Sequence, residues 1–247
     1  MNLLIRDLKY QIKKIKFTTL AMILIYSFMI FLANMYADGS SIFEHFFKYS
    51  FIDVGMVRNL NEFFIPSHWL LLHLIPVSSL ILIIIKDHYD NGIYSLIKVK
   101  NKTTYFYSKI IASSIINLIL ITLFIVVLFI WEKFSNNYNQ QYTIFFTRIM
   151  FCLILENIIL TFLGVLVALK FSTRFSLFFL LLNSSLAMLT NFPYIIGQAS
   201  LGYKQDFLGG EFKLSNNIIY LLVVLAITVI FSYFYFSKYN FYGDEKW

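Results

Sequence analysis

Residues 86–109 read "KDHYDNGIYSLIKVKNKTTYFYSK", with five lysines and two aspartates between two oily runs. Before them lies "WLLLHLIPVSSLILIII" and after them "IIASSIINLILITLFIVVLFIW". A polar stretch of this size inside so apolar a chain is either a plain solvated connection or a place where something docks. The flanks decide the fold. Each is about 20 apolar residues, which is what a helix needs to cross the hydrocarbon core of a bilayer.

Working outward, the same signal recurs. Six apolar runs reach spanning length: roughly Phe17–Met35, Ile65–Ile85, Ile110–Trp131, Ile144–Leu169, Phe175–Ile195 and Asn217–Phe236. The fifth is interrupted near its end by Asn191 and Pro193. Hydrophobic residues make up 59% of the 247 and charged residues only 13%, with mean hydropathy +0.73. A soluble domain is nearer a quarter charged, so the bilayer is the expected solvent. The expected fold class is an all-α membrane protein, one domain over residues 1–247, with no internal repeat.

Charge placement sets the expected orientation. Fourteen lysines and arginines fall in the N-terminal segment, the second and fourth connections and the C-terminal tail. Five fall on the other side: Lys48, Arg58, Lys133, Lys204 and Lys213. The basic-rich side is expected to be cytoplasmic, with both termini there. The first apolar run ends "FLANMYADGS", without the small-residue site of a cleavable signal. The net charge of +7 is thus a topology signal, and no nucleic-acid partner is expected.

The N-terminal segment carries its own pattern. At 100° per residue, Leu4, Ile5, Leu8, Ile12 and Ile15 share an arc of about 100°, with Arg6, Lys9, Lys13, Lys14 and Lys16 outside it. This predicts an interfacial helix over residues 1–16, lying flat on anionic lipid. The competing reading is an extension of the first membrane helix. Beyond the fifth run, residues 192–216 combine Pro193 with Gly197, Gly202, Gly209 and Gly210. They predict a re-entrant outer hairpin before the last helix; the alternative is a wet loop on the interface. Residues 36–64 hold Phe43, Phe46, Phe47, Phe51, Phe63 and Phe64, too aromatic for a solvated loop.

Few residues have the makings of chemistry. Glu156 is the only acid deep in an apolar run; a charge there costs about 3 kcal/mol on insertion scales. It pairs with a base on another helix, lines a hydrated path, or sits protonated against Asn157 or a serine. Arg148 is about 12 Å away along the helix, too far to be an obvious partner. Asn183, Ser184 and Ser185 either glue helices or line a cavity. His68 and His73 point about 140° apart on a helix, poor geometry for one metal. There is no P-loop, so no ATP site is expected on this chain. Paired catalytic groups for intramembrane proteolysis are missing from the sequence, and so is the two-fold pattern of broken helices of secondary transporters. The single Cys152 forms no intramolecular disulfide. No catalytic, cofactor or metal site is expected.

The opening stretch holds Asp90, then Gly92, then Ile93, Tyr94, Leu96 and Ile97, then the pair Asn101–Lys102, then Lys109. Gly92 permits a turn, and a short helix over 92–97 would show apolar knobs to water. The order resembles the first cytoplasmic loop of ABC transporter permeases of the type-2 exporter class. There an acid two before a glycine leads into a coupling helix, and a lysine follows a polar–basic pair by seven residues. This chain departs in having Asp for the usual Glu, His88 where an acid is common, and a slightly shorter loop. Its size resembles permeases for bacteriocins, lantibiotics or phenol-soluble modulins.

The resemblance implies a permease in a bacterial-type cytoplasmic membrane that exports such peptides or protects against them. It implies a separate nucleotide-binding subunit carrying ATP and Mg, and a second permease copy or paralogue. Asp90, Gly92, Ile93, Tyr94, Leu96 and Ile97 would couple to the ATPase. Asn183, Ser184, Ser185 and Glu156 would line the pathway or face the other permease. A non-transporting sensor or assembly partner using the same loop is the alternative.

Overall fold

The computed structural model describes residues 3–35, 67–99, 101–135, 140–190, 192, 194–206 and 210–239. The aromatic connection 36–64 therefore lies outside the described residues. The chain is helical throughout its regular parts: α1 Leu3–Met35, α2 Ser67–Val99, α3 Lys102–Ser135, α4 Gln140–Lys170, α5 Thr173–Leu189 and α6 Leu214–Lys238. No strand occurs among the described residues. The helices α1, α2, α3, α4 and α6 are each long and apolar enough to cross a membrane. This is a multi-pass membrane protein. The helix α5 is equally oily but has 17 residues, about 26 Å at 1.5 Å per residue. It stops because Thr190 takes extended backbone, φ −115° and ψ 152°.

Packing centres on α4, the most buried of the five long helices. It touches α2, α3, α5 and α6. Between apolar helices in lipid, transfer energy gives no drive, so close approach and polar links must hold them. Gly164 provides the approach: a Cβ there would lie 2.1 Å from Ile81 Cδ1. The Ser176 hydroxyl provides a link, donating to the Gly164 carbonyl at 2.7 Å. Outward faces stay apolar, as with Leu24 and Phe28 on α1 and Ile227 and Phe231 on α6.

Pro76 sits inside α2. A proline has no N–H, so the carbonyl four residues earlier, on Leu72, loses its helical donor. Asn157 of α4 replaces it, its Nδ2 donating to the Leu72 oxygen at 3.1 Å. A helix break that water would mend elsewhere is mended here by a neighbouring helix.

Two expectations change. The N-terminal amphipathic segment is not a separate flat helix; it continues without interruption into the first span as α1. Its buried side is Asp7, Gln11 and Ile15, whereas Ile5 and Ile12 are exposed and Leu4 and Leu8 half-buried. Fixed contacts to Asp7 and Gln11 outweigh the apolar arc in setting the helix rotation. The polar stretch 86–109 is likewise not a loop with its own short helix. The helix α2 runs to Val99 and α3 starts at Lys102, so the stretch is the facing ends of two long helices.

Candidate functional site

At the end of the bundle where α1 begins and α2 and α3 meet, three helices contribute buried charges. Asp7 comes from α1, Asp87 from α2 and Lys109 from α3, all nearly inaccessible. The Lys109 ammonium hydrogen-bonds Asp87 and lies 3.6 Å from Asp7. Arg6 closes the set: it pairs with Asp7 at 2.5 Å, reaches Asp87 at 3.9 Å and hydrogen-bonds Ser95. Ser108 Oγ donates to Asp7 Oδ2 at 2.6 Å, and Gln11 Nε2 donates to the Lys109 carbonyl at 2.9 Å. Two cations meet two anions, so the joint is neutral. Its desolvation cost makes it poor as a stability device, yet removing one partner leaves a charge stranded. The joint therefore fixes how α1, α2 and α3 sit relative to one another.

The same end is tied to α6. Lys102 Nζ donates to the Tyr239 carbonyl at 2.8 Å, and His88 lies among the rings of Tyr105, Phe106 and Tyr239. Gly92 acts here by its smallness. A Cβ would sit 3.2 Å from both His88 Nδ1 and Tyr105 Oη, so glycine permits close packing inside a continuous helix where a turn was expected.

The anticipated docking residues spread around this joint. Asp90 is exposed, and so is Tyr94, at 73%. Leu96 is half-buried against the cluster of Tyr105, Phe106 and Phe236. The side chains of Ile93 and Ile97 lie outside the described residues. Asn101 caps α3, its Oδ1 accepting from Thr103 N at 3.0 Å. A cavity of about 570 Å³ opens beside Tyr94. One stripe from α1, Leu3, Arg6 and Tyr10, faces one from α2, Asp87, Asn91, Tyr94, Ser95 and Val99. Sequence reasoning missed Asp7 and Asp87. Asp7 did carry a signal, as the only acid in the first 37 residues.

At the opposite end, the segment between α5 and α6 folds onto the bundle. Gly197, Gln198, Ala199, Ser200 and Leu201 are buried. Glu156 holds them: its Oε1 accepts the backbone N–H of Gly197 at 3.0 Å, Ala199 at 2.9 Å and Ser200 at 3.3 Å. Gly197 has φ +112° and no room for a side chain, with Trp69 Cζ2 3.2 Å from its would-be Cβ. The Trp69 indole in turn donates to Ser200 Oγ at 2.6 Å. Asn183 Nδ2 donates to the Ile196 carbonyl at 2.7 Å. Lys204 Nζ donates to the Ala187 carbonyl at 2.6 Å and to the Thr190 carbonyl, capping α5. Burial pushes the Lys204 amine down to about 8. Irregular backbone is thus satisfied by protein groups, as a low-dielectric setting demands.

The four residues grouped by sequence as pathway or permease interface separate accordingly. Glu156 and Asn183 converge on residues 196–200. Ser184 is buried, and Ser185 is exposed and bonds back to the Leu181 carbonyl. Glu156 has neither a base nor Asn157 as its observed partner; backbone amides take that place, with the Ser200 side chain beside them. The His68 side chain lies outside the described residues, and His73 is buried against Trp69, ring centroids 4.9 Å apart. Among the described residues, no group of three His, Cys, Asp or Glu side chains is assembled to hold a metal. Comparison with family models, characterised proteins and solved structures returns no match for this chain.

Proposed function

We propose that the chain is the membrane-spanning permease subunit of an ATP-driven ABC exporter, with the joint of α1, α2 and α3 at its cytoplasmic end. The observation that carries this reading is the placement of exposed Tyr94 beside the buried Asp7–Lys109–Asp87 joint. A partner pushing on Tyr94 and Asp90 pushes on a unit locked to three membrane helices. A separate nucleotide-binding subunit holds ATP and Mg, and its closure favours one arrangement of the helices through differential contacts at this surface. A second permease copy or paralogue completes the transporter. Amphipathic or antimicrobial peptides are the substrate class, a choice resting on the resemblance in size and layout. In this reading α5 makes the sixth crossing and residues 192–216 dip into the membrane as a re-entrant hairpin, supported by the satisfied backbone amides of Gly197, Ala199 and Ser200.

The test is co-expression of the tagged chain with a candidate ATPase subunit, followed by an assay of ATP hydrolysis in the purified complex. Stimulated hydrolysis that is lost in Tyr94→Asp, with the variant still inserted and folded, supports the proposal. An ATPase that neither co-purifies nor is stimulated sinks it. One observation favours a second reading, a non-transporting membrane partner: α2 runs unbroken to Val99, so the surface is a rigid post without a separate coupling helix. That reading predicts co-purification of a cytoplasmic protein whose activity is indifferent to the chain's helix movements.

A further inference from the structure

The cavity of about 570 Å³ between α1 and α2 is within the size range of ligand pockets. Asp87 and Ser95 are its buried lining, Tyr94 its open lining, and Arg6 lies between. Asp87 has no capacity to spare: Oδ1 accepts from Asn91 at 2.9 Å and Oδ2 from Lys109. Arg6 differs. A guanidinium carries five N–H groups. Three of them go to Asp7 and Ser95, and the side chain stays 27% exposed. The group with donors left over is a cation, and its complement is an anion.

A second cation reaches the same place. Lys14 is exposed, and its Nζ lies 5.7 Å from the centre of the Tyr10 ring, which also lines the cavity. Asp90 acts on Tyr10 as well, but exposed Lys9, Lys13 and Lys16 join Lys14 on α1 and outweigh it.

The level of the cavity points to the source of the anion. Asp87 comes two residues after the apolar run of α2, which ends at Ile85, and Lys109 directly precedes that of α3. The cavity therefore lies at the edge of the hydrocarbon, the depth of lipid phosphates. At 100° per residue, Phe17, Leu24 and Phe28 fall with Arg6 and Tyr10 in one arc of about 40°, and all three are exposed. An acyl chain lying on that stripe brings its headgroup to the cavity, and a lysine between the two reaches upward along its own stem.

We propose that the groove between α1 and α2 seats the headgroup of an anionic phospholipid, its phosphate on Arg6 and Lys14 and its acyl chain along Phe17, Leu24 and Phe28. The seat needs only that the chain crosses a bilayer; it does not rest on an ATPase docking at Tyr94. It gives the basic N-terminal segment a defined lipid contact without a helix lying flat.

The test uses the full chain in nanodiscs of phosphatidylglycerol and phosphatidylcholine in equal parts. Native mass spectrometry counts the lipids that stay on the protein after transfer to detergent. The parent should hold a phosphatidylglycerol in preference to phosphatidylcholine. Lys14→Ala should cut that preference about fivefold, the effect of one basic residue near an anionic surface. Lys170→Ala, an equal change of charge at the end of α4, should leave it unchanged. Val99→Trp, which narrows the groove without altering a charge, should lose the lipid too. A parent without preference overturns the proposal. Equal drops in the two lysine variants also overturn it, since overall charge would then be the cause. Displacement of the lipid by soluble glycerol phosphate would reassign the cavity to a free phosphate and rejects the lipid seat.

Discussion

The two ends of the bundle handle buried carboxylates in opposite ways. Asp7 and Asp87 are met by charges: Lys109 lies between them and Arg6 beside them. Glu156 is met by dipoles, three backbone N–H groups on a single oxygen with the Ser200 side chain beside them. The first arrangement joins side chains from three separate helices, so it fixes helix against helix. The second joins one helix to a short irregular segment, so it fixes a cap against the bundle. A charge pair can serve any backbone that brings it together. A carboxylate on amides works only where backbone has been left unpaired, which is what the break after Leu189 creates.

The largest effect is expected at the charge joint. Lys109→Met leaves two buried carboxylates with Arg6 as their one remaining cation and should cost about 3–5 kcal/mol of stability. Adding Asp87→Leu to that variant should recover a large part, because a matched pair replaced by apolar groups is close to neutral. Thermal unfolding of the two variants in detergent measures this. If Lys109→Met melts like the parent, the joint is not the element that holds α1, α2 and α3.

Next comes the carboxylate seat. Glu156→Ala orphans three N–H groups, at about 1 kcal/mol each as a lower figure, or about 3 kcal/mol in all. Glu156→Gln retains an acceptor oxygen and should lose less than half of that. Limited proteolysis within residues 194–206 should report the same order, with Ala cut fastest and Gln between. Equal behaviour of Ala and Gln would mean that the oxygen is not what seats the cap, and the contrast between the two ends would fail.

A smaller effect follows from Lys204. Its folded pKa of about 8 lies below the ordinary lysine value of 10.5 because the amine is buried. Below pH 8 both folded and unfolded chains carry the proton, and the folded state bears the cost of the buried charge. Between pH 8 and about 10.5 the unfolded chain holds more protons, so the stability of this end should rise with pH. The neutral amine keeps two N–H groups, enough for the Ala187 and Thr190 carbonyls. Melting curves across that window should rise more steeply in the parent than in Lys204→Met, and equal slopes in the two contradict the burial argument.

The smallest change in stability is expected at Tyr94→Asp, because Tyr94 is 73% exposed. Its melting should match the parent within about 0.5 kcal/mol, as for surface substitutions generally. That separates docking from folding. Leu96→Asp does not separate them, since Leu96 packs against Tyr105 and Phe106 and its replacement loosens the end of α2.

The sequence by itself determined that this is a helical membrane protein and which runs form its oily helices, although α1 begins and α2 ends well beyond the runs read from composition. Run length and composition suffice because the bilayer imposes them on each helix separately. It determined that one side is basic and that Glu156 needs compensation. Each of those statements follows from one residue and its immediate neighbours. Only the tertiary structure decided the partners: Asn157 for the Leu72 carbonyl, residues 197–200 for Glu156, and Lys109 for Asp7 across about a hundred positions of chain. It also decided that the N-terminal arc rotates toward Asp7 and Gln11, against its own apolar pattern. A helix's periodicity records which face is oily. It carries no information about a buried charge on the neighbouring helix, and here that charge sets the rotation.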